Sequence, residues 1–101
     1  MLLSIVVPVY NEEENIANFY KAVTDVMSGL TYDYELIFVD DGSSDSSAMI
    51  LREIAFNDKH VKVLLLARNF GHQTALTCGL DYAHGDAVMT MDGDMQQDRK
   101  S

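Results

Sequence analysis

The stretch Glu35-Leu36-Ile37-Phe38-Val39-Asp40-Asp41-Gly42-Ser43-Ser44 joins an apolar run to an abrupt polar turn. A short apolar run without alternation, rich in β-branched and aromatic residues, reads as a strand covered on both faces. Leu3-Ser4-Ile5-Val6-Val7-Pro8-Val9 upstream is of the same kind and runs into Tyr10-Asn11. Between the two runs, Ile16, Phe19, Tyr20, Val23, Val26 and Met27 fall on one stripe, which predicts an amphipathic helix over 12–27. Asn11 is its expected N-cap, with Glu12, Glu13 and Glu14 in the first turn, where the helix dipole favours anions.

The same cycle continues downstream. A helix is expected over 45–56, with Ala48, Leu51, Ile54 and Ala55 inward. A third strand is expected over 61–66, running into Ala67-Arg68-Asn69-Phe70-Gly71. A further helix over 72–83 has Ala75, Leu76, Gly79, Leu80 and Ala83 inward, and Ala87-Val88-Met89-Thr90-Met91 reads as a fourth strand. Strand–helix alternation with short loops implies right-handed crossovers and a parallel sheet. The expected fold is therefore α/β, a Rossmann-like parallel sheet with flanking helices, in one domain over 1–101.

Composition narrows the function. With 48% apolar and 23% charged residues the chain is an ordinary globular domain, not a disordered one. Seven Lys and Arg against sixteen Asp and Glu give a net charge of −9, which disfavours nucleic acid and anionic membrane surfaces. Cys78 stands alone, so there is neither an internal disulfide nor a zinc pattern; a buried, inert thiol is expected. The start Met1-Leu2-Leu3-Ser4-Ile5 has no basic n-region or small-residue cleavage site, and no apolar run reaches the ~20 residues of a membrane span. A soluble, cytoplasmic location is the expectation.

Polar clusters fall where all four strands end: Pro8-Val9-Tyr10-Asn11, Asp40-Asp41-Gly42-Ser43, Arg68-Asn69-Phe70-Gly71 and Asp92-Gly93-Asp94. Any one of them could be an ordinary turn. In open parallel sheets, however, ligands bind outside the carboxyl ends of the strands, so four such loops would share one rim. Carboxylates crowded there repel unless a cation or ligand offsets the charge. Asp92 and Asp94 at a strand end can reach one hard cation, with Gln96 offering another oxygen, and all-oxygen ligation suits Mg²⁺ or Mn²⁺. No Gly-x-Gly-x-x-Gly or Gly-Lys-Ser/Thr loop is present, which argues against dinucleotide and P-loop binding. The acidic pair follows the second strand rather than the first, unlike a two-component receiver domain.

Ser4-Ile5-Val6-Val7-Pro8-Val9-Tyr10-Asn11-Glu12, Val39-Asp40-Asp41-Gly42-Ser43-Ser44-Asp45, Arg68-Asn69-Phe70-Gly71-His72-Gln73 and Met91-Asp92-Gly93-Asp94-Met95-Gln96 closely resemble family 2 glycosyltransferases of GT-A fold. The resemblance is to the polyprenyl-phosphate branch, the bactoprenol glucosyltransferases and dolichol-phosphate mannose synthases. It implies that Pro8, Tyr10, Asn11 and Glu12 surround the base and ribose, with Asp40 reaching the base. Asp41 and Ser43 would line the same cleft, and Asn69, Gly71 and Gln73 would border the nucleotide-sugar. Asp92 and Gly93 would face the ribose and diphosphate, while Asp92, Asp94 and Gln96 hold the cation. The implied donor is a UDP-sugar, with GDP as the alternative, and the implied acceptor in a full-length relative is a lipid phosphate, reached with inversion.

The chain departs from the family's usual pattern at Gly93 and Met95 and in lacking a proline pair after the acidic motif. It is expected to be the donor-binding portion, cut off after that motif and inactive in transfer alone. The competing expectation is a non-catalytic interaction module, a remnant of the fold that pairs with a partner or with itself through an exposed fourth-strand edge.

Overall fold

The computed structural model describes residues 1–31 and 33–91. The order is β1 (Leu2–Val9), α1 (Ile16–Ser28), β2 (Asp33–Asp40), α2 (Ser47–Asn57), β3 (Val61–Leu65), α3 (His72–Tyr82) and β4 (Ala87–Thr90). The strands form one parallel sheet in the order β3-β2-β1-β4. The chain thus builds outward from β1 in one direction and then returns to its other side for β4. That reversal is the switch point at which loops splay apart above the sheet.

Strand alternation divides the core into two faces. Ile5, Val7 and Val9 of β1 and Leu36 and Phe38 of β2 pack under α1 and α2, against Ile16, Phe19, Val23 and Leu51. Val6, Ile37 and Val39 point the other way and meet Ala75 of α3. Full burial of a side chain such as Phe38 stabilises the fold by roughly 1.5–3 kcal/mol. On the α3 face a Cβ at Gly79 would lie 2.3 Å from Val6 Cγ1, so only glycine lets that helix lie so close to the sheet.

Pro8 is buried in a central strand, opposite Val39. Val6 O accepts from Met91 N–H on the β4 side. Two residues on, the ring nitrogen of Pro8 faces that same side beyond the end of β4, where the missing N–H ends the pairing.

Several boundaries and faces differ from the sequence-based expectation. α1 begins at Ile16, its N-cap is Asn15 rather than Asn11, and no acidic residue lies in its first turn. Glu12 to Asn15 form a separate turn, with Asn15 N–H donating to Glu12 O at 2.9 Å. The cause is competition: Glu13 Oε1 accepts from Ser46 N–H at 2.8 Å, and Glu12 N–H donates to Ser47 Oγ at 3.0 Å. These groups serve the start of α2 instead of α1. Val26 is 65% exposed and Leu80 is exposed as well, because no described element covers those sides of α1 and α3. Cys78 is half-buried against the α3-side core.

Candidate nucleotide-sugar site

The carboxyl ends of β1, β2 and β3 bring three of the four expected loops together. Asp41 N–H donates to Val9 O at 2.8 Å and Leu66 N–H to Asp40 O at 2.9 Å, so the ladder holds the backbone of the acidic pair on both sides. Asn11 occupies the left-handed region at φ 51°, which asparagine tolerates better than most residues. Its N–H donates to Ser43 Oγ and its Oδ1 accepts from Ser44 N–H, both at 2.8 Å. The loops after β1 and β2 are thereby one unit. Glu13 and Asp45 tighten it, with Glu13 N–H donating to Asp45 Oδ2 at 3.3 Å.

Burial alone would raise the Asp45 carboxyl, but hydrogen bonds from Ser47 and Glu13 outweigh it and hold the group below its usual value. Asp45 therefore stays charged beside the N-terminus of α2, where a negative charge is favourable.

Asp40 and Asp41 are 3% and 4% exposed. Asp40 Oδ2 accepts from Ser43 N–H at 3.3 Å, while its Oδ1 is buried and has no hydrogen-bond partner among the described residues. A buried carboxylate oxygen without a donor is costly and rare in a finished core.

Both oxygens of Asp41 are already taken. Oδ1 accepts from Phe70 N–H at 2.8 Å, and Oδ2 accepts from Gly71 N–H at 3.1 Å and Asn69 Nδ2 at 3.2 Å. Asp41 therefore faces the loop after β3 rather than an open cleft.

Tyr10 is 46% exposed on the rim. Glu12 is half-buried, its Oε1 accepting from Asn15 Nδ2 at 2.9 Å. Pro8 lies inside β1 and forms floor rather than wall. Gln73 is exposed in the first turn of α3. Arg68, not singled out as a site residue from sequence, stacks its guanidinium 4.9 Å from the Phe70 ring centroid. It brings positive charge to a rim otherwise crowded with carboxylates, and its signal was the Arg-Asn-Phe-Gly run itself.

Asp92, Gly93, Asp94 and Gln96 lie outside the described residues. Among the described residues no group of three or more His, Cys, Asp or Glu is placed to hold a metal ion. The donor chemistry of Asp92, Asp94 and Gln96, all oxygen and mostly anionic, suits a hard divalent cation.

A parallel sheet with this strand order and a polar rim at its carboxyl edge is the nucleotide-binding architecture of GT-A glycosyltransferases. Residues 4–100 match the family model for glycosyl transferase family 2, and the chain belongs to that family. The glycosyltransferase YkcC of Bacillus subtilis is 52% identical over 93 residues, covering 92% of this chain and 29% of that protein. The bactoprenol glucosyl transferase of Shigella phage SfV is 46% identical over 96 residues, covering 95% of this chain and 31% of that protein. Among solved structures, glucosyl-3-phosphoglycerate synthase from Mycobacterium tuberculosis with Mn²⁺, uridine diphosphate and phosphoglyceric acid superposes with a TM-score of 0.69 at 30% identity. That match covers 90% of this chain and 32% of the synthase chain. The chain thus spans about three-tenths of the length of the relatives it matches.

Proposed function

We propose that this chain forms the donor side of an inverting glycosyltransferase that takes a UDP-sugar and passes the sugar to a polyprenyl phosphate. The observation that carries the reading is the unpartnered, buried Oδ1 of Asp40 at the carboxyl edge of β2. A pyrimidine or purine base carrying a ring N–H supplies the missing donor, and a charged acceptor makes that bond stronger than a neutral one. Tyr10 offers its ring to the face of the same base, and Asn11 and Ser43 fix the loop on which the base rests. UDP is favoured over GDP by analogy with the uridine diphosphate complex of the mycobacterial synthase.

The acidic motif completes the proposal. Asp92, Asp94 and Gln96 would hold a Mg²⁺ or Mn²⁺ ion, which when bound supplies positive charge to the departing diphosphate. A lipid phosphate is already anionic and needs little help from a base, so a single in-line displacement with inversion suffices. The acceptor side is assigned to sequence that the longer relatives possess, and the 101 residues alone are expected to bind nucleotide weakly and to transfer no sugar.

Calorimetric titration of UDP and GDP, with and without Mn²⁺, tests these assignments. The expected result is Mn²⁺-dependent UDP binding that disappears in Asp94→Ala. Equal binding without the ion and in Asp94→Ala would remove the metal assignment, and tighter GDP binding would reverse the choice of base. Sugar transfer by the isolated chain would overturn the division into donor and acceptor sides.

A second reading, self-association along β4, is favoured by one feature. Val88 and Met89 of this edge strand are exposed, and an apolar groove of about 280 Å³ opens between β4 and α1, lined in part by Phe19, Val26, Met89 and Met91. A nucleotide-blind dimer on size exclusion would support that reading, and a metal-dependent, UDP-binding monomer the first.

A further inference from the structure

Asp40 and Asp41 are adjacent in sequence and opposite in use. Strand alternation directs Asp40 to the face covered by α1 and α2, and Asp41 to the face covered by α3. Among the described residues the Asp41 carboxylate bonds to one loop: Phe70 N–H at 2.8 Å, Gly71 N–H at 3.1 Å and Asn69 Nδ2 at 3.2 Å. Asn69 Nδ2 also reaches Asp41 O at 3.3 Å. Three donors on two oxygens of a buried group leave little room for a ligand.

The backbone beside it is shaped for the same purpose. Gly42 has φ 72°, and a Cβ there would lie 2.2 Å from Arg68 C and 2.3 Å from Asn69 N. The loop therefore rests directly on the Asp41-Gly42 peptide. Gly71, the N-cap of α3, makes no side-chain cap of its own. The Asp41 carboxylate stands at that helix start and supplies the negative charge that it favours.

We infer that Asp41 is a positioning residue: without touching the donor, it fixes the Arg68–Gly71 loop beside Asp40 and so presents Arg68, Asn69 and Phe70 to the nucleotide-sugar. The functional half of this inference rests on the donor-site reading above, while the geometric half does not. It replaces the sequence-based expectation that Asp41 lines the cleft.

Amide hydrogen exchange by NMR on the 101-residue chain, without nucleotide, followed by UDP titration with Mn²⁺, separates the two halves. In the unaltered chain the amides of Phe70 and Gly71 should exchange more slowly than those of His72 and Gln73. In Asp41→Asn they should speed up roughly tenfold or more, since a charged acceptor is lost, while amides of β1 and β2 stay protected. UDP affinity should fall roughly tenfold in the same variant, with its unfolding still cooperative. UDP binding lost with Phe70 and Gly71 still protected would make Asp41 a ligand and overturn the inference. Protection lost with UDP affinity unchanged would overturn it too. If Asp41→Asn does not fold, the unaltered chain decides: exchange at Phe70 and Gly71 as fast as at His72 and Gln73 contradicts the inference. Failure of the unaltered chain to bind UDP counts against the donor-site reading alone, and the exchange data still judge the loop.

Discussion

The two ends of the sheet bury carboxylates in opposite ways. At the amino end Glu35 is 5% exposed, and its Oε2 accepts from Ser4 Oγ at 2.6 Å and His84 N–H at 2.7 Å. Ser4 Oγ in turn accepts from Gly85 N–H at 2.8 Å, and Lys62 Nζ lies 3.8 Å from Glu35 Oε1. Burial pushes the Glu35 carboxyl up, but these partners outweigh it and hold it below 4.5. At the carboxyl end Asp40 is buried to a similar degree, yet one of its oxygens has no partner among the described residues. The saturated carboxylate pins the turn into β4, whereas the unsaturated one is the acceptor that the proposed donor site assigns to the base. Saturation of hydrogen bonds, more than burial, is what differs between the two acids.

Removing each carboxylate in turn should separate the two roles. Glu35→Ala strips Ser4 Oγ and His84 N–H of a charged partner and should destabilise the fold by about 3 kcal/mol, read by urea unfolding. Asp40→Ala should destabilise far less than Glu35→Ala, since losing the bond from Ser43 N–H is offset by removing an unpaired buried oxygen. It should nonetheless weaken UDP binding about a hundredfold, close to 2.7 kcal/mol. A destabilised Asp40→Ala that still binds UDP would reverse the assignment of roles.

Acid sharpens the same contrast. A carboxylate whose folded value lies below its ordinary 4.5 contributes stability that is complete above that pH and is lost as pH falls through the lowered value. The urea midpoint should therefore drop below pH 4.5, and Glu35→Gln should flatten that part of the profile. Asp58, also lowered despite its burial by bonds from Tyr20 and His60, adds to the acid loss at lower pH.

The smallest effect concerns Tyr20. Its hydroxyl donates to Asp58 Oδ2, and that bond, together with burial and the nearby charge, lifts it from 10.0 to about 12. Stability from this bond is complete below pH 10 and is lost as pH rises toward 12. Tyr20→Phe should cost about 1 kcal/mol at neutral pH and remove the alkaline loss. An unchanged alkaline profile would show that the bond contributes nothing.

The sheet was legible because runs such as 35–39 and 3–9 are apolar without a break, and four polar turns follow four such runs. The gathering of Asn11, Asp40, Ser43 and Asn69 followed from that parallel order. The start of α1 was not legible, because the partners of Glu12 and Glu13 lie 33 to 35 residues away in sequence at Ser46 and Ser47. Helical spacing likewise put Val26 on the apolar stripe correctly, but spacing cannot say whether anything covers that side. The different fates of Asp40 and Asp41 depend on contacts 28 to 30 residues away, which adjacent identical residues cannot reveal.

The most direct test of the central claim is a UDP titration with Mn²⁺ and a thermal unfolding curve, run side by side on Asp40→Ala and Glu35→Gln. Asp40→Ala should unfold much like the unaltered chain and lose UDP, while Glu35→Gln should unfold at lower temperature and, below its transition, still bind UDP. Retained UDP binding in Asp40→Ala would contradict the claim that the unpartnered oxygen of Asp40 is the donor site's anchor.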